Sequence, residues 1–253
     1  GTLDPLATGL VILCTNKLTK QIDTYQAQEK EYTGTLVLGK TTPSIDLETD
    51  FDSESSTEGI TEEAMQQARL LQVGVVQQYP PIYSAVKMGG ERLYKKARRG
   101  ETVEIQPRQV EIKLFEIDTT QFPTIGFRII CSKGTYIRSL ARDIGADCSS
   151  SAHLIGLFRT KVGNFKIEDS VGKKYLNEFN IHNSIENVNL YFNSDKDSLP
   201  KISESIKDEI LENINSFTED VSNQCGFVNL HLVNEQKEDD FLHGRYLKSN
   251  YFV

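Results

Sequence analysis

The sequence predicts an α+β fold built on a mostly antiparallel sheet, and two observations carry the prediction. Tyr32–Gly39, Val103–Asp118 and Phe127–Cys131 are rich in β-branched and aromatic residues and read as strands. Thr61–Leu71, Glu91–Arg99 and Thr135–Ile144 carry helix starts and stops, and they do not alternate strictly with the strands as a parallel βαβ chain would.

In chain order, Gly1–Gly9 opens with Asp4 between Leu3 and Pro5 and a small-residue turn ending at Gly9. Leu10–Cys14 is continuously apolar and is expected to be a buried strand. An isolated Asp beside Pro ordinarily caps a turn, but an acid held against an apolar strand is costly unless it has a partner or a task. Asp46–Gly59 is acidic and Ser-rich without apolar period, and is expected to be a mobile loop. Thr61 is a good N-cap with Glu62 and Glu63 in the first turn behind it. Tyr79-Pro80-Pro81 interrupts regular structure, Gly100 ends the helix over Glu91–Arg99, a turn at Pro123 joins two strands, and Gly145 is expected to stop the helix begun at Thr135. Further on, Asp197–Pro200 reads as a linker or cap. Ile202, Ile206, Ile210, Ile214 and Phe217 recur at helical spacing, and Gly226–Val233 alternates like a strand. The expected division is a main domain over residues 1–187 and a small acidic α/β appendage over 188–253.

A chain of 253 residues can bury a core without staples. No stretch reaches the ~18 apolar residues of a membrane span, and no secretory leader is recognisable. Cys14, Cys131, Cys148 and Cys225 form no C-x-x-C pair, which gives a zinc site little support and is the pattern of reduced thiols in the cytoplasm. The net charge of −8 is unevenly spread: residues 176–253 carry 6 Lys and Arg against 14 Asp and Glu, whereas residues 85–175 carry 17 against 10. A nucleic acid responds to the local field at the docking face, so the body is compatible with RNA and the tail is not part of that face.

Four segments carry the chemistry. They are Gly1–Gly9; Lys30-Glu-Tyr-Thr-Gly34; Tyr79-Pro-Pro-Ile-Tyr-Ser-Ala-Val-Lys87 with Gly90-Glu-Arg-Leu-Tyr-Lys-Lys-Ala-Arg98; and Cys131-Ser-Lys-Gly-Thr-Tyr-Ile-Arg-Ser-Leu-Ala-Arg-Asp-Ile-Gly145. In that order they resemble the TruB family of tRNA pseudouridine synthases, over roughly the first two thirds of the chain. The resemblance implies the pseudouridine synthase fold, with a cleft across the middle of a long mixed sheet flanked by helices. It also implies isomerisation of the uridine at position 55, in the T loop of tRNA, without a cofactor or metal, by a cytoplasmic monomer whose partner is the T-arm stem-loop.

Breaking the N1–C1′ bond and joining C5 to C1′ needs an ionised carboxylate at the ribose, and in a closed pocket that acid needs a cation beside it. By resemblance Asp4 is that acid, Arg138 its bidentate partner, and Tyr32 the aromatic on which the flipped base stacks. The apolar and aromatic neighbours Tyr136, Ile137 and Leu140 favour an inward Arg138. Lys30 and Glu31 are expected to be solvated. Leu157 matches a leucine of the base pocket, although plain core is an equal reading. Lys133 is expected to touch phosphate or pocket. Tyr83, Lys87, Arg92, Tyr94 and Tyr136 complete the substrate-binding set, and Lys95, Lys96, Arg98 and Arg99 continue it or form a solvated helix face.

Family members also carry an upstream strand with a Lys-Pro-x-Gly-x-Thr-Ser-like motif and a histidine just before the glycine matching Gly1. Neither is present here, which leads to the expectation of an N-terminally shortened chain with an open sheet edge and weak activity. Two rival readings are a non-catalytic tRNA-binding or tRNA-folding module that keeps the fold, and a glycoside or nucleoside hydrolase. The hydrolase would need a second carboxylate beside Asp4, and none stands out in the motifs.

Overall fold

The computed structural model describes residues 3–170. Its elements run β1 (Thr8–Gly9), a 3₁₀ turn (Asn16–Gln21), α1 (Ile22–Ala27), β2 (Lys30–Leu38), β3 (Lys40–Thr41), β4 (Ser53–Glu54), α2 (Glu62–Leu71), β5 (Gly74–Gln78), β6 (Lys87–Met88), β7 (Glu91–Arg92), α3 (Leu93–Arg98), β8 (Arg108–Gln121), β9 (Thr124–Cys131), α4 (Ile137–Asp147), β10 (Ala152–Val162) and β11 (Phe165–Lys166). The main sheet has the order β1-β10-β2-β9-β8-β5, with β11 folding back on β10. Its β1–β10 pairing is parallel and the others are antiparallel, so the sheet is mixed and mostly antiparallel as the composition implies.

Helix α4 packs on β10, α2 packs on β8, and the two helices touch each other. Leu36, Phe115, Ile125 and Ile129 from the sheet meet Met65 of α2 and Leu140 and Ile144 of α4 in one cluster, all essentially out of solvent. Burying side chains of this size contributes roughly 1.5–3 kcal/mol each. The expected cap on α2 is present, with Thr61 Oγ1 accepting from the Ala64 N–H.

Several expectations need correction. Leu10–Cys14 is not a strand. Regular pairing stops at Gly9, Leu10 donates one more bond to the Arg159 carbonyl, and Leu13 is 86% exposed. The chain leaves the sheet there because just beyond Arg159 the same side of β10 is taken by β11, which pairs with it at Lys161 and Val162. The expected loop Asp46–Gly59 is anchored at two points, since Asp46 is buried and bonded to Ser44 and Glu48, and Ser53–Glu54 pair with β3. Strand β8 begins at Arg108 rather than Val103, and α3 begins at Leu93 because Glu91 and Arg92 pair with β6. Gly145 lies inside α4. A Cβ there would run into the backbone of Ser151 and Ala152, so its role is close packing rather than termination. Strands β5 and β10 carry no alternation strong enough to be predicted; β10 is buried along most of its length and so lacks a polar face. The expected helix and strand of the appendage lie outside the described residues.

Candidate active site

The site is assembled at the β1 edge. The Ala7 N–H donates to the Asp4 carbonyl, closing a turn that feeds β1. Gly9 has φ +113°, and a Cβ there would collide with the Arg159 backbone, so only glycine lets β1 approach β10 so closely. The register then sets Gly9, Arg159, Tyr32 and Ile129 in a row across β1, β10, β2 and β9. Alternation therefore places the Arg159 and Tyr32 side chains on the same face.

Arg138, in the first turn of α4 and 3% exposed, reaches Asp4 from below. Its Nε donates to Asp4 Oδ2 and its Nη2 to Asp4 Oδ1, both at 2.9 Å. Nη1 donates to the Ser44 carbonyl and Nη2 also to the Tyr83 carbonyl, each at 2.9 Å. A buried guanidinium is tolerated only when its donors are used, and here they clamp Asp4 to the 42–49 and 79–84 segments. Asp46 Oδ2 stands 3.6 Å from Arg138 Nε. Burial pushes the Asp46 carboxyl above its ordinary range; Arg138 and the bonds from Ser44 Oγ and the Glu48 N–H oppose this without cancelling it.

Asp4 opens onto a cavity of about 470 Å³. Tyr32, Arg159 and Lys30 form one wall, Tyr83, Ser84 and Tyr94 another, and Ser132–Tyr136 a third. Burial, with smaller contributions from neighbouring charges, pushes the Tyr32 phenol up to about 12, so it is protonated at neutral pH. Arg159 hydrogen-bonds Tyr32 and donates through Nε to the Leu10 carbonyl at 2.7 Å, tying the edge segment to the centre of the sheet. Gln78 Oε1 accepts from the Tyr136 N–H and its amide donates to the Tyr136 carbonyl, which fixes the entry to α4. A smaller pocket of about 20 Å³ lies beside Asp4, lined by Leu6, Asp46, Arg138 and Leu157 among others; that is space for about one water.

The sequence model of the TruB family pseudouridylate synthase (N terminal domain) matches residues 1–137. The tRNA pseudouridine synthase B of Phocaeicola vulgatus is 47% identical over 188 residues, 74% of this chain and 80% of that protein. The protein of the same name from Flavobacterium johnsoniae is 50% identical over 171 residues, 68% of this chain and 75% of its own length. This chain belongs to the TruB family of pseudouridine synthases. A solved Cbf5-Nop10-Gar1 complex holds a chain of the same fold, with TM-score 0.50 and 23% identity, covering 83% of this chain and 49% of that one.

In this TruB-family chain the predicted residues are distributed unevenly. Asp4, Tyr32, Tyr83, Tyr94, Lys133, Tyr136 and Arg138 line the larger cavity. Leu157 is both core and wall of the smaller pocket, so its two readings are compatible. Lys87 and Arg92 face each other across the β6–β7 hairpin, outside the cavity lining.

Sequence reasoning missed several groups. Lys30 is buried, with Nζ donating to the Gln26 and Gln28 carbonyls at the end of α1, and burial holds its pKa below the ordinary lysine value. Glu31 is not free in solvent but accepts from Arg128 and Thr160. Asp46, beside the site, and Glu48, in the lining of the larger cavity, are acids that the motifs hid. The signal for Asp46 was only the small-residue run Thr41–Ser44 before it, whose hydroxyls bury it. Asp46 meets Arg138 from the smaller pocket and does not line the larger one, so it is not placed as the second acid of a hydrolase.

Proposed function

We propose that the chain converts the uridine at position 55, in the T loop of tRNA, to pseudouridine, with Asp4 acting on the ribose of a flipped-out nucleotide. The observation that carries this reading is the two-bond pairing of Arg138 with Asp4 at the floor of a tyrosine-lined cavity. The relatives named tRNA pseudouridine synthase B support tRNA as the substrate.

In the reaction the N1–C1′ bond breaks, the uracil turns, a C5–C1′ bond forms, C5 loses its proton and N1 gains one. Substrate and product are isomers, so no outside oxidant or donor is required. The Asp4 carboxylate either attacks the sugar or takes a proton from it, and Arg138 supplies its counter-charge and fixes its direction. Tyr32, kept protonated, offers a flat surface for the base and one O–H donor. Lifting the base from its stack costs a few kcal/mol, which contacts of the T arm with the basic and aromatic rim offset.

Mapping pseudouridine in unmodified tRNA incubated with this chain tests the reading. The expected result is one modified T-loop uridine with the wild-type chain and none with Asp4→Asn. Modification at another position, or persistence of the product with Asp4→Asn, overturns it.

A further inference from the structure

The charged residues around α3 fall into two groups. Arg99 is bidentate to Glu91 and also bonded to Glu101, and Lys96 pairs with Glu101, so these bonds stay within residues 91–101. Arg98 differs. Its Nη2 crosses to Glu48 Oε1 at 3.0 Å, a partner fifty residues away in sequence, and both residues line the cavity. Its guanidinium also stands 5.6 Å from the centre of the Tyr94 ring, another cavity residue. The Arg98 side chain is 57% exposed and that of Glu48 17%. The Glu48 backbone is anchored, because its N–H donates to Asp46 Oδ1 at 3.0 Å, next to Arg138.

We infer that Arg98 with Tyr94 forms a subsite for a backbone phosphate of the RNA substrate, and that Glu48 holds this subsite in the empty enzyme as an internal substitute for that phosphate. The inference rests on the proposed action on tRNA. A guanidinium takes carboxylate and phosphodiester oxygens with the same geometry. An exposed ion pair of this kind contributes little to stability, so an incoming polyanion can displace it. The displaced carboxylate stays nearby, tethered through its backbone, and opposes any anion that does not engage Arg98. Glu48 therefore lowers affinity for anions in general and selects for an RNA whose phosphate reaches the arginine. This is discrimination by a repulsive element as well as an attractive one.

The test is equilibrium binding of a tRNA T-stem-loop to the full chain over a range of salt concentrations, for wild type, Glu48→Gln, Arg98→Gln, the double variant and Arg98→Lys. Glu48→Gln is expected to tighten binding about threefold, in line with the worth of an exposed pair. Arg98→Gln is expected to weaken binding and lower the salt slope by about one, while Arg98→Lys keeps most of that slope. In the Arg98→Gln background, Glu48→Gln is expected to change affinity less than the single substitution does, because the competition has no site left. Equal tightening with and without Arg98 would mean a general charge effect and overturns the inference. So does an unchanged salt slope in Arg98→Gln, or a Glu48→Gln that binds no better while unfolding at the wild-type temperature. A wild-type chain that neither binds nor modifies the stem-loop sinks the underlying functional reading instead.

Discussion

The floor and the mouth of the cavity each present an arginine to a carboxylate, and the two pairs behave in opposite ways. At the floor, Arg138 is 3% exposed and holds Asp4, with two backbone carbonyls using further donors. At the mouth, Arg98 is mostly exposed and makes one bond to Glu48. Taking a guanidinium out of water is repaid only by full satisfaction, so the floor is over-determined and fixes geometry. The mouth has no such debt, and its pairing is exchangeable. One residue type thus serves as rigid scaffold in one place and as a replaceable contact in the other.

The strongest challenge to this contrast is Asp4→Asn. Pseudouridine formation should fall by at least about a thousandfold, the equivalent of about 4 kcal/mol in the barrier, while T-arm binding measured by filter retention changes little. Next comes Arg138→Lys. A point charge cannot reproduce the fork, so both kcat and stability should fall, the latter by about 3 kcal/mol in urea unfolding. A stable, active Arg138→Lys would erase the distinction between floor and mouth.

Asp46→Asn sharpens the picture differently. The folded carboxyl has a raised pKa because burial disfavours its charge. A raised pKa means that its stabilising contribution is complete below the ordinary value of 3.8 and is lost as pH rises through the folded value. The neutral amide carries no such loss, so the stability of Asp46→Asn relative to wild type should increase as pH rises above 3.8, read from melting temperatures across pH. The smallest effect belongs to Arg99→Gln, outside the cavity lining, where loss of exposed pairs with Glu91 and Glu101 should move Tm by no more than about 2 °C.

The legibility of the molecule follows the same division. Helix α2 was readable because its cap and first-turn acids are local, and β2, β8 and β9 because their composition is. Leu10–Cys14 was misread because apolar content does not say whether a partner strand exists, and this stretch lies beyond the last pairing at a sheet edge. Asp4, Tyr32 and Arg138, which line one cavity, were singled out by motifs and not by periodicity. Lys30 escaped because backbone carbonyls hold it and leave no side-chain signature, and Asp46 because a short hydroxyl run is a weak signal and its charged neighbour Arg138 is distant in sequence.

The Asp4–Arg138 pairing joins residues 134 positions apart in the chain. Such a contact forms only after the intervening sheet is in register, since its loop-closure entropy is repaid by nothing local. Turnover should consequently be the last property regained on refolding, after far-UV circular dichroism and tyrosine fluorescence have returned.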